Sequence, residues 1–168
     1  GGMKQRVIGA IAISSTPKVI IADEPTTALD VTIQLQYLEL LREIQQETGL
    51  AIIFITHDFG IVARMCDRVA VMYAGRIIES ADVRTLFNSP THPYTQALME
   101  SVPRMDRTDR LFAIDGQPPA LFALPEGCRF ADRCSQEYPP ILQPETGHDV
   151  SCWMVDPTWD QAPQEAVS

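Results

Sequence analysis

The stretch that decides the fold is residues 19–30, with the sequence VIIADEPTTALD. Its first four residues are apolar, which is typical of a strand buried in a parallel sheet. Two adjacent carboxylates, Asp23 and Glu24, follow where that strand ends. Open α/β sheets bind ligands outside the carboxyl ends of their strands. One acid could therefore hold Mg²⁺ while the other orients or deprotonates a water; the alternative is a strand end with two solvated acids.

The segment after this stretch predicts a helix and then a second strand. Asp30 is a good N-cap, and Gly49 lies where a helical stop belongs. Between them, apolar residues recur with helical spacing at Ile33, Tyr37, Leu40, Leu41 and Ile44. A second apolar strand, residues 51–56, ends on His57. A strand–helix–strand unit implies a parallel pair with a right-handed crossover, so His57 is expected at the same sheet edge as the two acids.

The next forty residues predict further regular structure. In order, we expect a helix over 58–65, a strand over 68–73, a tight turn at 74–75, a hairpin strand over 76–79, a helix over 80–87 and a helix from 91 or 92 to 99. Asp58 can cap the first of these helices, and Ser80 is the expected N-cap of the helix over 80–87. Pro93 suits the first turn of the last helix.

Three motifs in order resemble the ABC-type ATPases. Residues 19–30 resemble the Walker B strand and D-loop, residues 54–58 (FITHD) resemble the switch-histidine loop, and residues 1–7 (GGMKQRV) resemble the second half of the ABC signature. Their order and spacing match the family. The resemblance implies an α/β fold, the C-terminal part of an ABC nucleotide-binding domain with P-loop NTPase-like parallel strands and helices.

The resemblance assigns roles in ATP hydrolysis. Asp23 would hold Mg²⁺ through water, Glu24 would be the general base, and His57 would hydrogen-bond the γ-phosphate and the attacking water. Asp30 would be the D-loop residue that communicates across a dimer.

Two glycines would act on the partner's nucleotide. Gly1 and Gly2 would present backbone N–H groups to its γ-phosphate. No G-x-x-x-x-G-K-[ST] phosphate loop occurs in the 168 residues. We therefore expect the chain to be the C-terminal portion of a longer ATPase subunit, to bind ATP poorly alone and not to turn it over.

The last third of the chain differs in composition from the rest. Residues 101–168 hold 9 of the 13 prolines, and their 11 acids and 5 arginines account for −6 of the net charge of −9. Three stretches resemble the C-terminal extension of oligopeptide/dipeptide and nickel importer ATPases: residues 89–99, 114–119 and 124–134. The predicted division is an ABC domain part over 1–102, the irregular extension over 103–155 and a disordered tail over 156–168.

Cysteines in the extension suggest a metal site. Cys128 and Cys134 are spaced C-x₅-C, and Cys152 follows with His148 nearby. The resembled family can hold an iron–sulfur cluster here with four cysteines, but around Ile141 this chain has none. A Cys₃His site for zinc or a cluster is chemically possible. Free thiols, or a Cys128–Cys134 disulfide formed in air, are the alternatives.

The resemblance implies a subunit that powers peptide import at the cytoplasmic face of the cell membrane. Its partners would be a second ABC ATPase subunit, two membrane permease subunits and, indirectly, an extracytoplasmic peptide-binding protein. The net charge of −9 argues against nucleic acid as a partner. The alternatives are a soluble ABC ATPase without a membrane partner, an importer of nickel or another small solute, and a non-catalytic module that dimerises or regulates through its extension.

Overall fold

A computed structural model describes residues 2–27, 29–102, 113–125, 127–135 and 147–152, with the backbone alone for residues 2–6. The chain divides into two compact units, Gly1–Cys66 and Asp67–Ser168. The composition boundary near residue 102 stays a prediction, because residues 103–112 lie outside the described part. The predicted tail over 156–168 lies outside it as well.

In its described residues, the first unit contains three helices and two parallel strands. In chain order these are α1 (Gly2–Ile13), β1 (Val19–Asp23), α2 (Val31–Thr48), β2 (Ala51–Ile55) and α3 (Phe59–Met65). The strands pair in parallel from Val19 opposite Ala51 to Asp23 opposite Ile55. This confirms the predicted strand–helix–strand unit. The buried hydrophobic core of this unit comes mainly from α2, with one residue each from the loop before β2 and from α3: Tyr37, Leu38, Leu41, Leu50 and Ile61.

The two parallel strands are not buried on both faces, so that part of the prediction was wrong. Exposure alternates along each strand, and on one face Val19, Ile21, Ile53 and Ile55 are 50%, 65%, 52% and 51% exposed. The apolar run correctly predicted strands whose residues are apolar on both faces. It does not show which segment packs against each face. In the described part of this unit, that face is open to solvent.

Side chains and one glycine fix the ends of the helices in this unit. Asp30 caps α2 by accepting the N–H of Ile33 at 3.0 Å. Gly49 ends α2 with a φ of 69°, in the left-handed region that favours glycine. Asp58 caps α3 by accepting the N–H groups of Gly60 and Ile61 at 2.8 and 3.3 Å. All three features match the sequence predictions.

The second unit is built on an antiparallel sheet in the order β3-β4-β5. Its elements are β3 (Arg68–Tyr73), β4 (Arg76–Asp82), α4 (Val83–Asn88), α5 (Pro93–Glu100), a 3₁₀ turn (Ala131–Arg133) and β5 (Asp149–Val150). Ala74 and Gly75, with φ of 45° and 80°, join β3 to β4. Positive φ at both central residues is the pattern of a type I′ hairpin turn. The predicted tight turn is therefore confirmed.

The predicted start of α4 was wrong. Ser80 lies within β4, opposite Ala70, because the ladder with β3 continues to Asp82. Asp82 is the N-cap instead, and it accepts the N–H of Arg84 at 2.8 Å. Residues 79–82 (ESAD) contain two good N-cap residues, Ser80 and Asp82, and the sequence does not show after which of them the strand ends.

The extension completes the core of the second unit. Phe130 is buried in a cluster with residues of β3, β4 and α4: Val71, Tyr73, Ile78, Ala81 and Leu86. Ile114, Cys128 and Cys134 pack against this cluster. The described residues of the extension thus share a core with the β3–β4 hairpin. Among the described helices, none combines the length and the apolarity that crossing a bilayer requires.

Candidate functional site

The candidate site lies where the two parallel strands end. The backbone N–H of Glu24 donates to the carbonyl of Ile55 at 2.8 Å, which continues the strand pairing one residue beyond β1. His57 is the second residue after β2, separated from the strand by Thr56. The parallel register therefore brings Glu24 and His57 to the same edge of the sheet, as the sequence predicts.

Both oxygens of the Glu24 carboxylate accept hydrogen bonds. Oε1 lies 2.6 Å from Nδ1 of His57 and accepts the His57 backbone N–H at 3.2 Å. Oε2 accepts the hydroxyl of Thr27 at 2.8 Å. The carboxylate is thus held on one side by the end of β2 and on the other by its own turn.

The backbone of Glu24 is also unusual. Its φ of 44° places it in the left-handed region, which few residues other than glycine adopt. Such conformations persist where surrounding contacts hold them, and they concentrate at functional sites. Here the bond to Ile55 and the two side-chain partners supply those contacts. The same residue therefore combines a left-handed backbone with a carboxylate that is hydrogen-bonded to His57 and Thr27.

The surroundings of Glu24 favour its ionised form. The hydrogen bond from the Thr27 hydroxyl, followed by that from His57, lowers the pKa of the Glu24 carboxyl below its ordinary value. The carboxylate is therefore the form present near neutral pH. A carboxylate held in place at a sheet edge can orient a water or accept its proton.

His57 presents its second ring nitrogen to solvent. Its side chain is 85% exposed, and its Nδ1 must carry a proton to donate to the Glu24 carboxylate. In the neutral ring Nε2 is then an acceptor, whereas in the imidazolium it donates to an anion. The pair can therefore bind either a water or an anionic group at Nε2.

Neighbouring side chains fix the loop that carries His57. Thr56 Oγ1 accepts the N–H of Asp58 at 3.1 Å, and Gln34 donates to the second oxygen of Asp58 at 3.3 Å. Since Asp58 also caps α3, its carboxylate links the loop to both α2 and α3. The sequence indicated Asp58 as a cap, but neither Gln34 nor Thr27 was predicted at the site. A threonine three residues after an acid in a turn is the local signal for Thr27.

The other predicted residues of this region are not hydrogen-bonded to Glu24 or His57 in the described structure. Asp23 is exposed at the end of β1, where a carboxylate oxygen suits Mg²⁺, an ion that keeps several of its waters. Asp30 uses one carboxylate oxygen to cap α2. Gly2 is the first residue of α1, and Gly1 lies outside the described residues.

The predicted metal ligands of the second unit do not form a group that could hold a metal ion in the described residues. His148 Nε2 lies 2.6 Å from Glu79 Oε1, and Cys128 Sγ lies 3.7 Å from Nε2 of His92. Within the described ranges, no three His, Cys, Asp or Glu side chains form a group that could hold a metal ion. Burial raises the pKa of the Cys128 thiol, which disfavours the thiolate that a metal requires. The prediction of iron–sulfur or zinc binding by Cys128, Cys134, Cys152 and His148 therefore has no support in the described residues.

Comparisons with known proteins match this chain over nearly its whole length. Residues 78–139 match the family model for the oligopeptide/dipeptide transporter, C-terminal region. The dipeptide transport ATP-binding protein DppD of Bacillus subtilis (strain 168) is 50% identical over 164 residues, which cover 93% of this chain and 49% of that protein. The oligopeptide transport ATP-binding protein OppD of the same organism is 47% identical, covering 99% of this chain and 49% of that protein.

Two further matches come from other organisms. OppD of Haemophilus influenzae is 48% identical over 92% of this chain and 50% of its own length. The solved structure of cbiO1 from Clostridium perfringens, part of the ABC transporter complex cbiONQ, is 42% identical over 52% of this chain and 35% of that chain, with a TM-score of 0.49. The chain spans about half the length of the curated relatives it matches.

The sequence matches to DppD and OppD agree with the resemblance of the motifs to ABC-type ATPases. Over most of its length the chain is homologous to proteins named as dipeptide and oligopeptide transport ATP-binding proteins, and its residues 78–139 match the oligopeptide/dipeptide transporter C-terminal region.

Proposed function

We propose that this chain is the C-terminal part of an ATPase subunit that powers peptide import, with Glu24 as the general base. The observation that carries this proposal is the Glu24–His57 pair at the sheet edge, 2.6 Å apart. The carboxylate is ionised and fixed on both oxygens, as a general base must be before it meets its water. The names of the relatives, which are dipeptide and oligopeptide transport ATP-binding proteins, support peptides as the cargo.

In this proposal the residues divide the work of hydrolysis. Glu24 orients the attacking water and accepts its proton, and His57 binds the γ-phosphate through Nε2 while Glu24 holds its Nδ1. Asp23 would hold Mg²⁺, which would supply positive charge to neutralise the phosphates. Positioning and charge stabilisation account for most of the catalysis in phosphoryl transfer, so a fixed carboxylate–imidazole pair suits this chemistry.

The proposal extends to a dimer and to membrane partners. Asp30 and the backbone of Gly1 and Gly2 act across the interface with a second ATPase subunit. Two permease subunits hold the dimer at the cytoplasmic face of the membrane, and an extracytoplasmic binding protein delivers the peptide. The match of residues 78–139 to a transporter C-terminal region favours this assembly over a soluble ATPase.

We also propose that the chain alone does not turn over ATP. It spans about half of its relatives and contains no phosphate-binding loop motif. Val19, Ile21, Ile53 and Ile55 form an apolar sheet face that is about half exposed or more. Parallel sheets are almost always covered on both faces, so this face suits a further part of the same domain. The site at the sheet edge would then be complete only in the larger protein.

A joined protein tests the proposal. In this joined protein, the part of Bacillus subtilis DppD that this chain does not match is fused to the N-terminus of this chain. The resemblance to ABC-type ATPases locates the phosphate loop in that added part. We expect ATP hydrolysis by the joined protein and none by the chain alone. We also expect the joined protein, expressed with the partner permeases, to restore dipeptide uptake to a strain lacking DppD. Hydrolysis by the chain alone, or a folded joined protein that binds ATP without hydrolysing it, would contradict the proposal.

A further inference from the structure

The two oxygens of the Glu24 carboxylate differ in how many acceptor positions they have left. A carboxylate oxygen accepts about two hydrogen bonds. Oε1 receives both from His57, through Nδ1 and through the backbone N–H. Oε2 receives one, from the Thr27 hydroxyl at 2.8 Å, and no second donor reaches it among the described residues. A water that meets this carboxylate therefore has one position to occupy, the second lone pair of Oε2.

We infer that Thr27 is a positioning residue for hydrolysis, whose hydroxyl fixes Oε2 of Glu24 so that its single remaining lone pair faces the attacking water. This inference rests on the proposed role of Glu24 as the general base. Thr27 donates to the carboxylate and acts only through it. With the hydroxyl absent, Oε2 has two unfilled positions, and rotation about the last side-chain bond of Glu24 is restrained by His57 alone.

The hydroxyl is not needed to close the turn. The backbone N–H of Thr27 donates to the carbonyl of Glu24 at 3.3 Å, and that of Leu29 donates to Thr26 at 3.0 Å. The Thr27 side chain is exposed, so a substitution there removes little packing. Valine has the shape and the β-branch of threonine without the donor. The backbone turn should therefore survive Thr27→Val, and the loss should be confined to the hydrogen bond at Oε2.

Activity of the joined protein described above gives the first test. We expect Thr27→Val to lower kcat about fivefold, the factor that one ordinary hydrogen bond represents, while KM for ATP stays unchanged. Thr27→Ser keeps the donor and should restore kcat. Thr32→Val, at an exposed threonine of α2, is the matched control and should have no effect. An unchanged kcat in Thr27→Val, or equal losses in the Val and Ser variants, would overturn the inference.

A double-mutant cycle separates positioning from a general structural effect. In a Glu24→Gln background, Thr27→Val should lower the residual rate no further, because the threonine acts through the carboxylate. An additional fivefold loss in that background would show that Thr27 acts by another route and would overturn the inference.

A measurement without activity keeps this test separate from that of the proposed function. Titration of the Glu24 carboxyl carbon, followed by NMR in the joined protein, should give a higher pKa in Thr27→Val than in the wild type and in Thr27→Ser, because the Thr27 hydrogen bond lowers that pKa. If the joined protein fails to hydrolyse ATP but the pKa values differ in this way, the function is wrong and the hydrogen bond of Thr27 to Glu24 stands. Equal pKa values in all three proteins would remove that hydrogen bond and the inference with it.

Discussion

Glu79 and His148 lie 69 positions apart in the chain, yet their side chains meet at 2.6 Å and are 0% and 4% exposed. The same carboxylate accepts the backbone N–H groups of Thr91 and His92 at 2.7 and 3.0 Å. Glu79 belongs to β4, residues 91–92 precede α5, and His148 precedes β5. One buried side chain thus joins the hairpin, the last helix and the end of the described extension.

Removing His148 should destabilise the second unit. When a buried carboxylate loses a charged or hydrogen-bonded partner, the free energy of unfolding is expected to fall by about 3 kcal/mol. Here the carboxylate of Glu79 would keep two backbone N–H donors. We expect His148→Ala to lower the urea midpoint, followed by circular dichroism. Adding Glu79→Gln should deepen the loss, because each oxygen of the Glu79 carboxylate accepts a backbone N–H and the NH₂ of an amide would face one of those donors.

The neighbouring residue offers a matched control for this prediction. Asp149 lies 4.0 Å from Arg68 in an ion pair whose side chains are both exposed. Asp149→Asn should change the unfolding free energy by less than about 0.5 kcal/mol. Equal midpoints for His148→Ala and Asp149→Asn would mean that the buried pair does not hold the extension.

Stability should fall as the pH drops from about 6.5 to about 4, because His92 stays neutral in the fold. His92 is fully buried, and this burial lowers its pKa from 6.5 to about 4 although the charge of Glu79 acts in the opposite sense. Between these values the unfolded chain binds a proton that the folded chain does not, so unfolding becomes easier. The loss attributable to His92 should reach about 3 kcal/mol near pH 4.

A variant at the same position isolates this effect. His92 caps α5 by accepting the N–H of Tyr94 at 3.1 Å, and asparagine is also a good N-cap. His92→Asn should therefore retain the cap while losing the pH dependence that the imidazole contributes. Urea titrations at pH 4.5, 5.5, 6.5 and 7.5 would test this. Parallel stability curves for the two proteins would refute the assignment.

Arg133 should be needed to hold the extension against β3. Its guanidinium donates to the carbonyls of Ile114 and Asp115 at 2.9 and 2.8 Å and to the hydroxyl of Tyr73 at 3.1 Å. A lysine cannot make three bonds in this fork geometry. We expect Arg133→Lys to lower the unfolding free energy by about 1–2 kcal/mol and to speed hydrogen exchange at residues 113–117. Arg84→Lys, at an exposed position of α4, should leave exchange there unchanged.

The exposed face of the parallel sheet should behave differently in the chain and in the joined protein. In this chain Ile21→Thr and Ile53→Thr replace side chains that are 65% and 52% exposed. We expect each to change stability by less than about 0.5 kcal/mol and to reduce binding of an apolar dye. In the joined protein, where we propose that the face is covered, each should cost about 2 kcal/mol. The same small effect in both proteins would mean that the face stays uncovered.

The sequence predicted the sheet-edge pair because its signals are local. Apolar runs mark β1 and β2, Asp30 and Gly49 bound the helix between them, and the parallel crossover follows from that order. The meeting of Glu24 and His57 is then a consequence of topology. Residue types alone could not show which Glu24 oxygen each partner takes, so Thr27 went unnoticed.

The long-range features could not be predicted in the same way. Glu79 sits in an alternating strand pattern, where an acid normally faces solvent, and nothing near it in sequence indicates a partner at His148. Glu79 and His148 are both buried because β5, at the end of the described extension, pairs with β4. The exposed face of β1 and β2 is a related case, because an apolar run predicts a strand but does not show which segment packs against its apolar face.

Glu24-dependent hydrolysis by the joined protein is the most direct test of the central claim. Release of inorganic phosphate would be measured for the wild type, for Glu24→Gln and for Glu39→Gln, an exposed glutamate of α2 that serves as the matched control. We expect Glu24→Gln to bind ATP with unchanged affinity and to lose hydrolysis by at least about a hundredfold, the range over which a general base acts. Glu39→Gln should match the wild type. Hydrolysis by Glu24→Gln at the wild-type rate would contradict the assignment of Glu24 as the general base.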